Sequence, residues 1–334
     1  MLNGIPRSCH LLVALLLSVG MEAAVAFNPP LSSMLNRREA ISDLVTKTLQ
    51  YTGITQIPIL TGRQTAAPMR NLVVFDFDHT LIGVDSDEHV LGLSSDKDAA
   101  KRRLAEAGAA KRWCEGFASE LECLQREGVT MDRIKEALVE IKVDEELKET
   151  IHRLGNLDGV ELRILSDANN WFISTVLQSN GLDKYITKIV SNVAEVDGGF
   201  LHVKPYHTSP HPEGSSSPAN LCKGRVMRSW LDEVRWDQVV YCGDGPGDFE
   251  GAVNVPLNGK ILARKDWPLH RLLERSKEVK MAQVLPWQDH KELARLLSKN
   301  VEMPVLAMQR KQWDLAGSRS LRWHEEGKAV RVMT

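Results

Sequence analysis

This sequence predicts an α/β fold, on three observations. Short apolar segments at residues 72–75, 163–165 and 239–242 each end on polar residues, as buried parallel strands do. Amphipathic helical patterns occupy the stretches between them. The chain has 334 residues and 43% hydrophobic content, which is enough to bury a large core. We therefore expect a Rossmann-like parallel sheet with helices on both faces and an inserted helical cap.

Charge and cysteine content narrow the class of partner. The formal net charge is −2, with 42 basic and 44 acidic residues, so no overall field favours nucleic acid or an anionic membrane. We expect a small-molecule partner, and the sequence predicts no oligomeric state. The five cysteines are scattered and show no C-x-x-C spacing, which argues against a disulfide framework or a zinc site. We expect Cys242 to be a buried core thiol.

The amino terminus has the pattern of a signal peptide over residues 1–26. Arg7 precedes the apolar run at residues 11–17, and Ala24-Val25-Ala26 supplies small residues for cleavage. The run is too short to span a bilayer comfortably. We therefore expect no stable membrane span once the leader is removed.

Residues 27–70 are predicted to be a transit segment or linker. Phe27, followed by Asn28-Pro29-Pro30, resembles the junction of bipartite plastid-targeting leaders, and the segment contains Ser, Thr and several Arg with few acidic residues. We expect delivery to a plastid. The alternative is a plain secretory signal followed by a flexible linker, which would place the protein outside the cell or in the endomembrane lumen.

Two carboxylates follow the first predicted strand, at Asp76 and Asp78. Alternate side chains of a buried strand share a face, so we expect both to converge beyond the carboxyl edge of the sheet. Two close carboxylates require a cation, and Mg²⁺ prefers oxygen ligands. One carboxylate can attack phosphorus while the other handles the proton of the leaving group. The simpler alternative is an aspartate that caps the next turn.

Three later elements supply what this pair lacks for phosphoryl transfer. Ser166 follows the second strand and offers a hydroxyl to a phosphoryl oxygen. Lys223 follows a loop rich in Gly, Ser and Pro and offers a fixed positive charge. Asp244 follows the third strand and offers hard oxygen to the metal, with Asp248 as a secondary ligand.

These four elements, in this order, resemble the haloacid dehalogenase superfamily of aspartyl-phosphate phosphohydrolases. Over residues 71–296 the chain is more narrowly similar to the phosphoethanolamine/phosphocholine phosphatase family, whose plant-type relatives include thiamine phosphate phosphatases. The segments that carry this resemblance are Asp85-Ser86-Asp87, Leu165-Ser166-Asp167-Ala168-Asn169, Lys204-Pro205-Tyr206-His207-Thr208, Pro218-Ala219-Asn220-Leu221-Cys222-Lys223 and Leu285-Pro286-Trp287.

The resemblance implies a role for each matching carboxylate. Asp76 would be the nucleophile, Asp78 the general acid/base and a metal ligand through its surroundings, and Asp244 a metal ligand for Mg²⁺. Asp87 and Asp167 would face the leaving group of the substrate. The chain departs from the family ahead of the Pro-x-Asn segment, because its longer loop at residues 207–217 has no cysteine.

Charge predicts the class of substrate. Two carboxylates that face the leaving group, Asp87 and Asp167, favour a cationic alcohol, so phosphoethanolamine or phosphocholine is the first prediction. Thiamine monophosphate comes second, and pyridoxal phosphate or pyrophosphate third. Asp167 could instead cap the next helix. A non-catalytic phospholigand-binding relative is the alternative from another class. It is opposed by four intact residues: Asp76, Asp78, Lys223 and Asp244.

Periodicity divides the chain into domains. Apolar residues recur at helical spacing from Trp113 to Leu124 and again from Met131 to Ile141, so we expect a helical cap at residues 84–155. The core would comprise residues 71–83 and 156–299. We interpret these apolar stripes as packing of the cap and not as a cofactor site.

The rest of the predicted core is less regular. We expect a helix from Trp171 to Leu177, a short strand at residues 188–191 and a β-ribbon turning at Gly198-Gly199. The loop at residues 205–217 is rich in Pro, Ser and His, and irregular spacing predicts hydrogen-bonded or exposed histidines rather than a metal site. Residues 300–334 form a basic C-terminal tail, which we interpret as a solvated extension.

Overall fold

The computed structural model describes residues 69–311, except for residues 210, 212–216, 218 and 277. The predicted signal peptide (1–26), nearly all of the predicted transit segment (27–70) and residues 312–334 of the predicted tail lie outside the described residues. The targeting prediction therefore stays a prediction.

In the described part of the chain, seven strands form one sheet in the order β4-β3-β2-β1-β5-β6-β7. All neighbouring pairs are parallel except β3 and β4, which are antiparallel. This confirms the predicted α/β fold. The strands are β1 (Asn71–Phe75), β2 (Val160–Asn169), β3 (Ile186–Asp197), β4 (Phe200–Lys204), β5 (Gln238–Gly243), β6 (Lys260–Arg264) and β7 (Gln283–Trp287).

Helices cover both faces of the sheet, as predicted. One face packs against the helices between β1 and β2, the helix that follows β2 and the helix that follows β7. The other face packs against the helices that follow β4, β5 and β6. The helices are α1 (Ser86–Leu91), α2 (Lys97–Ala109), α3 (Trp113–Arg126), α4 (Met131–Glu140), α5 (Glu145–Gly155), α6 (Asn170–Asn180), α7 (Lys223–Glu233), α8 (Phe249–Ala252), α9 (Pro268–Arg275) and α10 (His290–Leu297).

The central strand β1 shows why this layering follows from the sequence. Val73 and Phe75 belong to the hydrophobic core on one face, and Leu72 and Val74 to the core on the other. Because successive side chains of a strand point to opposite faces, a strand buried on both sides reads as a continuous apolar run. Its carboxyl end lies between β2 and β5, where open α/β sheets bind ligands.

Helices α1–α5 lie between β1 and β2, in the stretch predicted to be the cap. The predicted apolar stripe of α3 is buried at Phe117, Leu121 and Leu124. Helix α5 packs against β2 and α10, which belong to the predicted core. The division into core (71–83 and 156–299) and cap (84–155) therefore remains a prediction.

The connection after β2 shows that the alternative role of Asp167, as the cap of the next helix, is wrong. Asn169, not Asp167, caps α6, because its Oδ1 accepts a hydrogen bond of 3.0 Å from the backbone N of Phe172. The predicted β-ribbon is confirmed, with Gly198 and Gly199 at φ of +56° and +83° in its turn. Strand β3 is longer than predicted, because its second half pairs with β4 after its first half has paired with β2.

The start of the predicted tail packs against the body of the protein. Val301 and Val305 are buried, and residues 303–311 are helical. The described part of this segment is therefore more than a solvated extension. No helix in the described residues has the length and apolar character needed to cross a membrane.

Candidate active site

Three buried carboxylates meet at the carboxyl ends of β1 and β5. Asp76 follows β1, and Asp244 and Asp248 follow β5. Each offers an oxygen within 4.8 Å of those of the other two. The backbone N–H of Asp76 donates to the carbonyl of Cys242, so the two strand ends are joined beside the site. The sheet thus brings together residues that are far apart in the chain.

Lys223, the first residue of α7, neutralises part of this charge. Its Nζ lies 2.8 Å from Oδ1 of Asp76 and 2.8 Å from Oδ1 of Asp248, and 3.9 Å from Oδ1 of Asp167. Burial alone would lower the pKa of the Lys223 amine, but the charges of Asp248 and Asp76 outweigh burial and raise it. The amine is therefore a fixed cation, as predicted for a phosphate-binding lysine.

Asp248 is held by several donors. Its Oδ1 accepts hydrogen bonds from Lys223 Nζ and the Tyr241 hydroxyl, both 2.8 Å, and its Oδ2 accepts from the backbone N of Asp244 (3.0 Å) and Gly245 (2.9 Å). A Cβ at position 243 would lie 2.6 Å from its Cγ, so a glycine is needed there. These contacts suit Asp248 to orienting its neighbours more than to binding a metal directly.

Asp244 and Asp76 have the remaining capacity for a cation. Oδ1 of Asp244 accepts a hydrogen bond of 2.8 Å from the Thr80 hydroxyl. Burial, followed by the charge of Asp248, raises the pKa of Asp244 to about 7, and the same two causes raise the pKa of Asp76. Buried carboxylates that repel one another favour a hard divalent cation, so the donor set fits Mg²⁺.

Asp78 lies apart from these three carboxylates. Its Oδ1 accepts a hydrogen bond of 2.9 Å from the backbone N of Ser86, at the start of α1. Burial raises its pKa, and the charges of Asp85 and Asp87 raise it further. Within the described residues its carboxylate is not part of the group of three carboxylates that could hold a metal ion. A raised pKa suits it to carrying a proton.

Asp87, on α1, is buried, and only one of its two carboxylate oxygens has a hydrogen-bond partner among the described residues. Oδ2 accepts a hydrogen bond of 2.9 Å from Nε1 of Trp113, whereas Oδ1 has no hydrogen-bond partner in the described part of the chain. Burial raises the pKa of Asp87, and Asp85 and Asp167 add to the rise. The Asp87 carboxylate therefore keeps one buried acceptor without a partner among the described residues.

The second strand supplies the other predicted residues. Ser166 is fully buried near the end of β2, and its Oγ accepts a hydrogen bond of 3.2 Å from the backbone N of Ala168. The side chain of Asp167 is 39% exposed. Its backbone carbonyl accepts a hydrogen bond of 2.5 Å from Nδ2 of Asn192, which fixes the strand end.

A cavity of about 790 Å³ opens between the start of α3 and the loop after β4. Trp113, Cys114, His207 and Asn220 line it, with Lys111 and Arg112 farther along its wall. His207 is anchored to the loop, since its Nδ1 accepts a hydrogen bond from the backbone N of Cys222. Because Trp113 also contacts Asp87, the cavity lies near one of the two predicted leaving-group carboxylates.

Sequence reasoning missed the roles of two residues. Trp113 was predicted to be part of an apolar stripe, but its indole N–H contacts Asp87. The sequence predicts Tyr241 to be part of an apolar strand, but its hydroxyl donates a hydrogen bond to Asp248. Each has a polar atom on a largely apolar side chain, and such an atom needs a partner when it is buried. In the sequence, this need for a hydrogen-bond partner is the one signal that could have indicated these contacts.

Known proteins resemble this chain in sequence and in fold. Residues 71–301 match the family described as Putative Phosphatase. Inorganic pyrophosphatase 2 of Arabidopsis thaliana is 31% identical over 68% of this chain and 82% of its own length. The phosphoethanolamine/phosphocholine phosphatase of Gallus gallus is 28% identical over 71% of this chain and 91% of its own. A HAD family hydrolase of Salmonella enterica subsp. enterica serovar Typhi shares the fold, with a TM-score of 0.50 and 13% identity over 70% of this chain and 72% of its own.

Proposed function

The chain belongs to this phosphatase family of the haloacid dehalogenase superfamily and is a phosphoric monoester hydrolase, and from that premise we propose its substrate class and mechanism. It hydrolyses a small phosphomonoester with a cationic leaving group, phosphoethanolamine or phosphocholine, through an aspartyl-phosphate intermediate. Mg²⁺ is the cofactor. The observation that carries the proposal is the buried group of Asp76, Asp244 and Asp248 around Lys223.

The charge of the site supports phosphoryl transfer. Asp76 and Asp244 would hold Mg²⁺, which supplies positive charge against the phosphoryl oxygens. Lys223 is a permanent cation beside Asp76, and Ser166 offers a hydroxyl at the neighbouring strand end. These groups are fixed by the sheet before substrate binds, so little reorganisation is needed as charge develops.

Two carboxylates divide the chemistry between them. Asp76 attacks phosphorus in line and its bond to phosphorus forms as the ester P–O bond breaks. Asp78, whose raised pKa favours the protonated form, gives its proton to the departing alkoxide. The resulting Asp78 carboxylate then takes a proton from the water that cleaves the aspartyl-phosphate, which returns both residues to their starting state.

The leaving-group side of the site supports a cationic substrate. Asp87 presents an unpartnered buried oxygen, and Asp167 lies close enough to raise the pKa of Asp87. An ammonium group placed between them would relieve this repulsion, whereas a neutral sugar would not. The cavity beside Trp113 offers room for the methyl groups of choline, and its indole supplies an aromatic face.

One observation favours a second candidate. Lys111 and Arg112 lie on the wall of the same cavity, and cations there would suit an anionic far end, such as the second phosphate of pyrophosphate. The similarity to a plant inorganic pyrophosphatase agrees with this alternative. Asp87 and Asp167 oppose it, because they would repel the second phosphate.

A panel of phosphate esters tests the proposal. With Mg²⁺ present we expect kcat/KM to be highest for phosphoethanolamine or phosphocholine, compared with thiamine monophosphate, pyridoxal phosphate, pyrophosphate and p-nitrophenyl phosphate. Asp76→Asn should abolish both turnover and trapping of a phospho-aspartate, because an amide is not a nucleophile. Turnover within tenfold of wild type would remove Asp76 from that role, and a preference for pyrophosphate would support the second candidate.

We also propose that the leader delivers the protein to a plastid. The support is the Ala24-Val25-Ala26-Phe27 junction, followed by a segment that contains Ser, Thr and several Arg with few acidic residues. A fluorescent protein fused to residues 1–70 should enter the plastid of an alga whose plastid has extra membranes, and Phe27→Ala should leave it in the secretory route. Secretion of the unmodified fusion would instead support the plain secretory alternative.

A further inference from the structure

The loop that carries the catalytic carboxylates contains a strained residue. His79 lies directly between Asp78 and Thr80 and has a φ of +56°, a left-handed value that side chains other than glycine rarely adopt. Such a backbone conformation is strained and persists only where its surroundings hold it. Its backbone N–H donates to the carbonyl of Val84, which closes the loop from inside. The carbonyls of His79 and Thr80 are bonded to other parts of the chain.

Arg264, the last residue of β6, restrains the first of these carbonyls. Its Nη1 donates a hydrogen bond of 2.7 Å to the carbonyl of His79, which is 185 positions away in the chain. The guanidinium lies over the rings of Trp267, at 4.1 Å, and Trp287, at 5.3 Å. Stacking on aromatic rings fixes the plane of the guanidinium and therefore the direction of its donors.

His290, the first residue of α10, restrains the next carbonyl. Its Nε2 lies 3.1 Å from the carbonyl of Thr80, and a carbonyl only accepts, so Nε2 carries the proton. The hydroxyl of Thr80 in turn donates to Asp244. Two consecutive carbonyls of the loop are thus bonded to side chains of the last third of the chain, and the loop is bonded to the proposed metal ligand.

We propose that Arg264 and His290 are positioning residues for the catalytic loop. They act through the carbonyls of His79 and Thr80, without contact to the substrate, and hold the loop in the strained shape that aims Asp76 and Asp78. The role in catalysis rests on the proposed function. In-line attack is sensitive to geometry, and a displacement of 1 Å costs about 100-fold in rate.

Arg163 provides a matched control for the loss of a packed arginine. It also lies over two indole rings, Trp230 at 5.1 Å and Trp236 at 5.2 Å. Its guanidinium pairs with Glu161 and Glu233, and none of its hydrogen bonds in the described part of the chain reaches the catalytic loop. Arg163→Met therefore removes similar stacking and charge without touching residues 76–86.

Steady-state kinetics on the best phosphomonoester of the panel test the proposal. We expect Arg264→Met to lower kcat by about 10–100-fold with KM within about threefold, because the substrate-binding groups stay, whereas the restraint on the loop and a positive charge that acts on Asp244 are lost. Arg163→Met should keep kcat within about twofold, even with an equal loss in Tm. Arg264→Lys, which keeps a charged donor, should lie closer to wild type than Arg264→Met, and His290→Gln closer than His290→Leu.

Amide hydrogen exchange supplies a readout that needs no activity. The amides of residues 77–86 should exchange faster in Arg264→Met than in wild type, and should be unchanged in Arg163→Met. The proposal is overturned if Arg264→Met leaves both kcat and this exchange unchanged, or if both arginine variants lose kcat to the same extent. If wild type hydrolyses no ester of the panel, the proposed function fails, and the exchange experiment still decides whether these side chains hold the loop.

Discussion

Lys223 compensates the negative charge of the buried aspartates in the site. It bonds Asp76 and Asp248 at the same distance of 2.8 Å, so one buried cation is shared by two buried anions. Removing one partner of a buried pair leaves an uncompensated charge, which costs far more than the pair itself contributes. The lysine is thus needed for folding of the site as well as for binding phosphate in the proposed mechanism.

Asp87 allows the substrate class to be tested at a single residue. Asp87→Asn keeps an oxygen for the Trp113 N–H but removes the charge, so we expect kcat/KM for phosphoethanolamine or phosphocholine to fall by about 1–3 kcal/mol, the scale of a lost charge-assisted contact. The neutral ester p-nitrophenyl phosphate should change far less. The measurement is kcat/KM on both substrates.

Glu88 is a control on the same helix. Glu88→Gln removes an adjacent charge that pairs with Lys101 at the surface, and we expect no change in preference between the two substrates. Equal losses on both substrates in Asp87→Asn would mean that Asp87 orders the cap or the site and does not bind a cation.

Several of the proposed catalytic residues could be predicted from sequence because they directly follow a strand or start a helix. Asp76 and Asp244 each come immediately after an apolar run, and parallel strands bring such positions to one edge. Trp113 and Arg264 could not be predicted this way. Their partners, Asp87 and His79, lie 26 and 185 positions away, and the contacts depend on how helices and strands pack.

At the scale of elements, close packing of α2 and α3 positions Trp113. A Cβ at position 116 of α3 would lie 2.4 Å from Cβ of Ala107 in α2, and a Cβ at position 108 of α2 would lie 2.8 Å from the ring of Trp113. Glycine at both positions lets the helices approach. The indole is therefore held by backbone, and its N–H is directed at Asp87 by that contact.

Gly116→Ala should separate these helices. Overpacking costs about 1–3 kcal/mol, offset in part by the higher helix propensity of alanine, about 1 kcal/mol. Because Trp113 lies one turn earlier on the same helix, we expect kcat/KM to fall more for the cationic ester than for p-nitrophenyl phosphate. Unfolding in denaturant and kinetics on both esters provide the measurement.

Gly128, just after α3, distinguishes helix displacement from simple destabilisation. A Cβ there would meet nothing within 4 Å, but φ is +97°, so Gly128→Ala introduces backbone strain of about 1 kcal/mol or more without a clash. It should lower stability and leave the preference between the two esters intact. An equal change in preference in both variants would contradict the role assigned to helix packing.

The length of strands was harder to predict than their existence. The second half of β3 is mostly exposed and carries Glu195 and Asp197, so it lacks the apolar run that marks the central strands. It becomes a strand because β4 folds back on it at a glycine turn. Edge ribbons of this kind are defined by their pairing partner, and only the glycines indicate them in sequence.

At the scale of the whole molecule, the buried aspartates of the site make stability depend on pH. Burial raises the pKa of Asp76, Asp78 and Asp87, and it raises the pKa of Asp244 to about 7, above the value near 3.9 of an unfolded aspartate. Between these two values the folded protein holds protons that the unfolded chain releases. The contribution of these carboxylates to the free energy of unfolding without metal should therefore be greatest at low pH and fall as pH rises from about 4 to about 7.

Mg²⁺ should reverse this loss, because it binds the ionised carboxylates and competes with protons for them. At a hundredfold excess over its Kd, a ligand of the folded state adds about 2.7 kcal/mol, which corresponds to about 5–10 °C in Tm for a domain of this size. We expect such a rise at pH 8 and a much smaller one at pH 5, measured by thermal unfolding with Mg²⁺ against a chelator.

Asp244→Asn should abolish the Mg²⁺-dependent rise and should be more stable than metal-free wild type at pH 8, since it lacks the buried charge that repels Asp76 and Asp248. An equal Mg²⁺ effect at both pH values, or a metal-dependent rise that survives in Asp244→Asn, would place the metal elsewhere.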